Sequence, residues 1–231
     1  VTLSTDVTLT TTSNGNVTFG STVNSADATA RDLTLSIGTG TARFDGVVGG
    51  NYVLDVIGIT GNLDLNAAIL KSDSSAGATS LSVSGTSDLG ANVKTTGAQS
   101  YTGAVTLSGG DRTLTGSTIT TNGAIIGGSN SLSISGNAVF GNSTDDTITG
   151  VNELSVSGTT TINTNTVTTA GAQAYTGAVT LGTDVTLTTT SNGNVTFGST
   201  VDSATTTARA LTLSIGTGTA RFDGVVGGTN P

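Results

Sequence analysis

The chain of 231 residues carries a formal net charge of −8, and 34% of its residues are hydrophobic, 3% aromatic and 10% charged. Disordered chains are usually rich in charge and proline, whereas this chain has one proline and is dominated by Thr, Ser, Gly, Asn and aliphatic residues, which favours ordered β-structure with a narrow core. The absence of His and Cys excludes Ser-His and Cys-His catalysis and argues against a transition-metal site, and the absence of a basic patch argues against nucleic-acid binding.

Short runs in which apolar residues alternate with Thr or Ser recur along the chain and predict β-strands. In chain order they include residues 7–10, 17–19, 33–37, 63–65, 81–83, 105–107, 132–134 and 154–156. Gly- and Asn-rich segments separate the runs and mark corners, because both residue types tolerate positive φ. No segment has sustained helical periodicity, the nearest being the short stretch 66–71, and no apolar run approaches the roughly 20 residues that cross a bilayer.

A long repeat joins the two ends of the chain. Residues 1–50 match residues 179–228 at 45 of 50 positions, and the copies differ only at positions 4, 24, 27, 28 and 32 of the first. A shorter repeat relates GAQSYTGAVTL at 97–107 to GAQAYTGAVTL at 171–181. Such repeats predict an elongated array in which each unit contacts only its neighbours. We expect this chain to be one stretch of a longer repeat array.

A recurring Leu-Ser-[Ile/Val] submotif sets the finer period. It begins at five leucines, of which Leu132 and Leu154 are the closest pair and set the spacing of one coil. This spacing predicts an all-β fold in which residues 1–231 form a single continuous parallel β-helix of roughly twenty-residue coils, about ten coils and about 50 Å long. Alternation turns the submotif serines outward and predicts a core that includes Leu35, Ile37, Phe44, Leu81, Val83, Leu132, Ile134, Leu154, Val156, Leu213, Ile215 and Phe222.

An array of immunoglobulin-like β-sandwiches is the alternative fold. Those modules need about 100 residues each and a core with large aromatic side chains. The chain has no Trp, and its period is too short for such a module. The β-helix therefore fits the pattern better.

Three segments resemble the repeat regions of filamentous-haemagglutinin-like adhesins, the very large bacterial surface proteins exported by two-partner secretion. They are GAQSYTGAVTL (97–107), TLTTTSNGNVTFGSTV (8–23) and LTLSIGTGTARFDGVVGG (33–50), and the resemblance extends over essentially the whole chain. It implies a right-handed parallel β-helix shaft, secretion to the cell surface, and a function in adhesion, biofilm matrix or extracellular filaments. The family's export domain is not visible in this sequence. Its Arg-Gly-Asp cell-binding triplet is also absent, which favours a shaft over a receptor-binding segment.

The one adjacent pair of acidic residues, Asp145 and Asp146, lies in GNSTDDTITG (141–150), which partly matches a calcium-binding nonapeptide turn. Such a site needs consecutive nine-residue copies so that neighbouring turns share each ion, and the chain has one imperfect copy. We expect a solvated loop there. The other acidic residues are scattered, so we predict no catalytic, cofactor or metal site and no enzymatic activity.

Two further patterns fall on the predicted outer surface. In Arg43-Phe44-Asp45 and its copy at 221–223, alternation places Phe inside and the two charged residues outside, where an exposed pair contributes about 0–1 kcal/mol. Thr-rich strands at 7–12 and 185–190 suggest the flat Thr array of ice-binding solenoids. That array needs Thr-x-Thr on the same strand of every coil, and we interpret these residues as outward Thr that suits a strand.

The predicted function is structural: a rigid shaft of a secreted bacterial adhesin or extracellular filament. The expected partners are further copies of the repeat, in the same chain or end to end, and cell-surface or matrix glycans. Nucleic acid and membrane insertion are not expected. The alternatives are a carbohydrate-binding or carbohydrate-active β-helix, which would need an acidic groove with an aromatic platform, and an ice-binding solenoid.

Overall fold

The computed structural model describes all residues from Val1 to Pro231. It contains strands and no helix, and therefore no helix that is long and apolar enough to cross a membrane. The strands are β1 Thr2–Leu3, β2 Val7–Thr10, β3 Val17–Phe19, β4 Asn24–Ser25, β5 Arg31–Phe44, β6 Leu54–Leu65, β7 Ala78–Val83, β8 Ser87–Leu89, β9 Val93–Lys94, β10 Gln99–Tyr101, β11 Val105–Leu107, β12 Arg112–Thr121, β13 Ile125–Ile126, β14 Leu132–Phe140, β15 Thr147–Val151, β16 Leu154–Val156, β17 Thr160–Ile162, β18 Thr166–Thr169, β19 Gln173–Tyr175, β20 Val179–Leu181, β21 Val185–Thr189, β22 Val195–Phe197, β23 Val201–Ser203, β24 Leu211–Ser214 and β25 Ala220–Phe222.

Each strand pairs in parallel with a strand of the next coil, so the strands stack in three columns. Column A begins with β2 and ends with β23. Column B begins with β3 and ends with β24. Column C begins with β1, which pairs with β4 beside the bridge residue Val23, and ends with β25. The predicted parallel β-solenoid is confirmed.

The coils differ in length. A short coil separates Leu81 from its partner Gln99, whereas the coils that separate Val7 from Leu33 and Val185 from Leu211 are much longer. The predicted neighbours Leu132 and Leu154 do stack directly on each other. The extra residues of the long coils leave the strands as exposed loops, such as 26–30. Loop insertion at a corner therefore changes coil length without disturbing the stacked strands.

One continuous hydrophobic cluster of 44 buried residues fills the interior from Leu3 to Val201. Because side chains alternate along each strand, every stretch of strand within a column sends one to three residues inward. Parallel stacking places equivalent positions of successive coils above one another. Phe19 and Phe44 stack in column B with ring centroids 4.8 Å apart. Tyr175, Phe197 and Phe222 form a second stack in column C. The core is thus narrow but unbroken along the rod.

Glycines at the corners allow the coils to approach closely. At the corner between columns A and B, a Cβ on Gly85 would lie 2.6 Å from the carbonyl oxygen of Gly61, and a Cβ on Gly103 would lie 2.5 Å from that of Gly85. Real Cβ atoms do not tolerate such contacts with backbone, so these positions require glycine. The glycine-rich composition is therefore a consequence of coil stacking.

Candidate functional site

The structure buries nine of the twelve side chains predicted for the core. Their exposed fractions are at most 2%, and they are Leu35, Ile37, Phe44, Leu81, Val83, Leu132, Ile134, Leu154 and Val156. The submotif serines between them lie on the outer side, where Ser82 is exposed and Ser36, Ser133 and Ser155 are partly exposed.

The other three predicted core residues lie in the last coil and are less buried. Leu213 and Ile215 are partly buried and pack against the core, but Phe222 is 41% exposed, so its assignment to the buried core was wrong. Phe222 does point inward and stacks on Phe197 at 4.8 Å. Its outer ring face is open because no strand lies above β25. Its repeat counterpart Phe44, which is covered by Leu65 of the next coil, is 1% exposed.

A buried polar network, which the sequence pattern alone had not revealed, occupies one corner of the core. Gln99 and Tyr101 both point inward, and the Tyr101 hydroxyl donates a hydrogen bond of 2.9 Å to Oε1 of Gln99. The Gln99 amide donates in turn to the Thr115 carbonyl oxygen at 2.8 Å and to Oγ1 of Thr95 at 3.3 Å. This satisfies buried polar groups that would otherwise destabilise the core.

The same network recurs in the second GAQ segment. Tyr175 donates to Oε1 of Gln173 at 3.0 Å, and the Gln173 amide donates to the Thr188 carbonyl at 3.0 Å and to Thr169 Oγ1 at 3.2 Å. Burial raises the pKa of Tyr101 and of Tyr175 well above the ordinary tyrosine value. The Gln-x-Tyr spacing, which places both residues on one side of a strand, is the sequence signal for this network.

Asparagine side chains connect successive coils at the corners. Oδ1 of Asn14 accepts from the backbone N–H of Thr39 at 3.1 Å, and Oδ1 of Asn62 accepts from that of Thr86 at 2.9 Å. Oδ1 of Asn137 accepts from Thr159 N in the same way at 2.9 Å. Each bond crosses one coil and satisfies an amide that the strand ladder leaves free. The corner asparagines thus have a structural function.

The repeated Arg-Phe-Asp segment forms a charge cluster on the surface. Nε of Arg43 lies 2.8 Å from Oδ1 of Asp45, and its Nη1 lies 3.5 Å from Oδ2 of Asp64 in the next coil. Hydrogen bonds from Asn66 and from Arg43 lower the pKa of Asp45. In the second copy Arg221 and Asp223 pair at 2.6 Å. Every charged group in the cluster is at least partly exposed and has a partner, so the cluster resembles a surface ion pair more than a binding site.

The Asp145-Asp146 segment is a closed loop. The Asp146 carboxylate accepts from the backbone N–H of Asn142 and of Ser143, each at 3.1 Å, and its carbonyl oxygen accepts from the Thr164 hydroxyl. The Asp145 carboxylate takes no part in these bonds. The backbone N–H of Asp145 donates to the hydroxyl of Ser143 at 3.2 Å. The carboxylate of Asp146 therefore acts as a turn acceptor within its own loop.

The two lysines of the chain meet at a protruding loop, residues 71–76. Nζ of Lys94 donates to the Ser74 carbonyl at 2.6 Å, and Nζ of Lys71 lies 3.4 Å from Asp73. Hydrogen bonds from the hydroxyl and N–H of Ser75, together with Lys71, lower the pKa of Asp73 to about 2. Shallow depressions of about 340 and 200 Å³ flank the loop. The polar groups of the loop bind one another and do not converge on either depression.

A third depression, of about 300 Å³, lies on the outer side of column C. Its lining includes Asp111, Arg112 and Glu153 together with Ser, Thr, Leu and Ala side chains. Arg112 is largely buried and donates from Nε to the Gly110 carbonyl at 3.1 Å. The lining contains no aromatic residue, so this depression lacks the platform expected for a carbohydrate-active β-helix.

Outward threonines form a ladder in the last coils of column B. Thr166 and Thr168 lie beside Thr186 and Thr188, which in turn lie beside Thr212 and Ser214. The ladder does not continue down the column, where Arg43, Asp64 and Asp88 occupy the corresponding outward positions. The Thr-x-Thr pairs therefore extend over a few coils of one column and not over every coil.

No group of three or more His, Cys, Asp or Glu side chains lies close enough to hold a metal ion. Comparison of the chain with protein-family models, with curated proteins and with solved structures gives no match. The functional conclusion therefore depends on the architecture of the chain itself.

Proposed function

We propose that this chain is a stretch of the rigid shaft of a secreted bacterial adhesin or extracellular filament, which holds a cell to surfaces, to other cells or to a biofilm matrix. The observation that supports this proposal is the unbroken stacking of three parallel strand columns around a single core from the first coil to the last. Parallel backbone hydrogen bonds and corner glycines tie every coil to its neighbours, so the unit resists bending between coils. The resemblance of its repeats to haemagglutinin-like adhesins agrees with this function.

In this proposal the chain is not an enzyme, and it supplies length and stiffness. The charges of the repeated Arg-Phe-Asp segment are paired, the Asp146 carboxylate is used in a turn, and the depression beside Arg112 has no aromatic platform. The partners are therefore further copies of the repeat along the shaft, with glycan contacts of low affinity at most. Secretion is part of the same proposal, because an adhesin shaft acts outside the cell.

Immunogold electron microscopy of intact cells that produce the full protein tests the proposal. Antibodies against this chain should label extracellular filaments at a distance from the outer membrane, and deletion of whole coils should shorten that distance and reduce attachment. The purified chain should bind no sugar on a glycan array and should give no thermal hysteresis in ice. Labelling confined to the cell interior would contradict the shaft, and a strong glycan or ice signal would favour one of the alternatives.

A further inference from the structure

The two copies of the long repeat adopt the same local structure. Oδ1 of Asn14 accepts from Thr39 N at 3.1 Å, and Oδ1 of Asn192 accepts from Thr217 N at the same distance. A local hydrogen bond is kept even at position 27, where the first copy has Asp and the second copy, at position 205, has Thr. Asp27 Oδ1 accepts from Thr29 N at 2.8 Å in the first copy, and Thr205 Oγ1 accepts from Thr207 N at 3.3 Å in the second. The copies are therefore structural as well as sequence repeats.

The two copies nevertheless lie on different faces of the solenoid. Val7 begins column A, whereas its counterpart Val185 lies in column B. The Phe19 strand lies in column B and the Phe197 strand in column C. In every strand of the repeat, the second copy is displaced by one column in the direction of the chain.

The register gives the size of this displacement. Along column A, eight successive pairings lead upward from Val7 and end at Val179. Val185 then follows one column further on. The long repeat therefore spans eight and one third turns, so its second copy is rotated by one face about the long axis.

The spacing between the two copies of the shorter repeat is also not a whole number of turns. Gln99 lies in column A and its counterpart Gln173 in column C, although both form the same network with their following tyrosines. The submotif leucines are also distributed over all three columns, with Leu81 in column A, Leu132 in column C and Leu213 in column B. A short strand with two inward side chains and a glycine corner thus fits any of the three faces.

We propose that a shaft built from this repeat displays its repeat-specific surface, the outward residues around Asn14, Thr18 and Arg43, on successive faces of the rod. The rotation of one face per copy returns the surface to its starting face after three copies. The contacts that the shaft makes through this surface are then spread over all three faces of the rod and are not confined to one side. The rotation between the copies follows from the strand register alone. Its role in displaying a surface around a shaft rests on the proposed function.

The chain has no Cys, so pairs of introduced cysteines can be spin-labelled specifically. Thr18→Cys with Thr196→Cys labels repeat-equivalent positions in columns B and C. Thr18→Cys with Thr188→Cys is the matched control, because both residues lie on the outer side of column B, eight coils apart. At about 4.8 Å per coil, the control distance measured by double electron–electron resonance should be about 38 Å. The distance between the labels at positions 18 and 196 should be several ångströms longer than the control distance. These two labels have a similar separation along the axis and, in addition, a lateral separation between two faces.

A second set repeats the comparison. Thr8→Cys with Thr186→Cys joins columns A and B, and Thr8→Cys with Thr180→Cys stays within column A. Repeat-equivalent pairs that are shorter than, or equal to, their same-column controls would overturn the inference. The distance measurement does not involve adhesion, so failure of the shaft proposal would leave its result unaffected. In the same way, failure of the distance measurement would leave the shaft proposal standing.

Discussion

The hydroxyl of Tyr101 donates a hydrogen bond of 2.9 Å to Oε1 of Gln99, and both side chains are 0% exposed. This pair places two polar groups inside a core that is mainly aliphatic and aromatic. The network is stable because the Gln99 amide reaches the Thr115 carbonyl of the next coil at 2.8 Å. Gln99 therefore links its own strand, β10, to the coil above.

Replacement of Gln99 by Leu should destabilise the solenoid strongly. Leu has a similar size, but it leaves the Tyr101 hydroxyl buried without a partner, which costs about 1–3 kcal/mol. The Thr115 carbonyl loses the Gln99 donor and keeps only its bonds from Thr95. The free energy of unfolding in urea measures the effect. Gln173→Leu is the matched variant, since it removes the same bonds on a different column, and it should lose a similar amount. A loss below about 0.5 kcal/mol in either variant would contradict a structural function of the network.

Alkaline pH should unfold the protein through Tyr101 and Tyr175. Burial raises the pKa of both hydroxyls in the folded state above the ordinary value of 10.0, so the unfolded chain releases protons that the folded chain retains. The contribution of these two hydroxyls to stability should therefore be constant below about pH 10 and be lost as the pH rises above it. In a Tyr52→Phe variant these two are the remaining tyrosines. Its tyrosinate absorbance at 295 nm should increase only as the β-sheet circular dichroism is lost. An increase at constant circular dichroism would show that the two hydroxyls ionise in the folded state.

The fold was predictable because period-two alternation and Gly/Asn corners are local signals. The column of each strand was not predictable, since coil length varies between the short coil from Leu81 to Gln99 and the long coil from Val7 to Leu33. A strand such as Val17–Phe19 carries no feature that distinguishes one face from another. Only the register of the whole array assigns it, and thereby reveals the rotation between the repeats.

The Gln-Tyr network and the exposure of Phe222 were missed for different physical reasons. Hydrophobic patterning treats Gln as an outward residue, and the Thr115 partner of Gln99 lies on another coil. Phe222 follows the same alternation as Phe44, so nothing in the sequence distinguishes them. Their burial differs because Leu65 covers Phe44 while no strand covers Phe222.

The stability lost when a core leucine is truncated to Ala should depend on the coil in which the leucine lies. Leu35 is 0% exposed, and its repeat counterpart Leu213 is only partly buried in the last coil. Leu35→Ala should cost about 2–5 kcal/mol, because it leaves a cavity between two coils that cannot collapse. Leu213→Ala should cost less than half as much in the same urea titration, because water reaches its site. Equal losses would mean that the last coil is as tightly packed as the interior ones.

The 231-residue chain should associate end to end in solution. Its last coil exposes Phe222 at 41%, Val225 at 61% and Val226 at 57%, and β24 and β25 have no pairing partner above them. At the other end, β2 and β3 have no partner below. Both end coils therefore offer unpaired parallel strand edges and rows of inward-facing apolar side chains. Such ends favour a head-to-tail contact between chains, which continues into fibres instead of closing into a ring.

Sedimentation velocity over a range of concentrations measures this association. Phe222→Lys should suppress it, because a charge in the end face cannot be buried between coils without a partner. Ile126→Lys is the matched control, since Ile126 is similarly exposed at 46% but lies on the outer side of column B, away from both ends. The control should associate as the parent does. A parent chain that remains monomeric at every concentration, or an equal effect of the two substitutions, would show that the end coils do not mediate the contact.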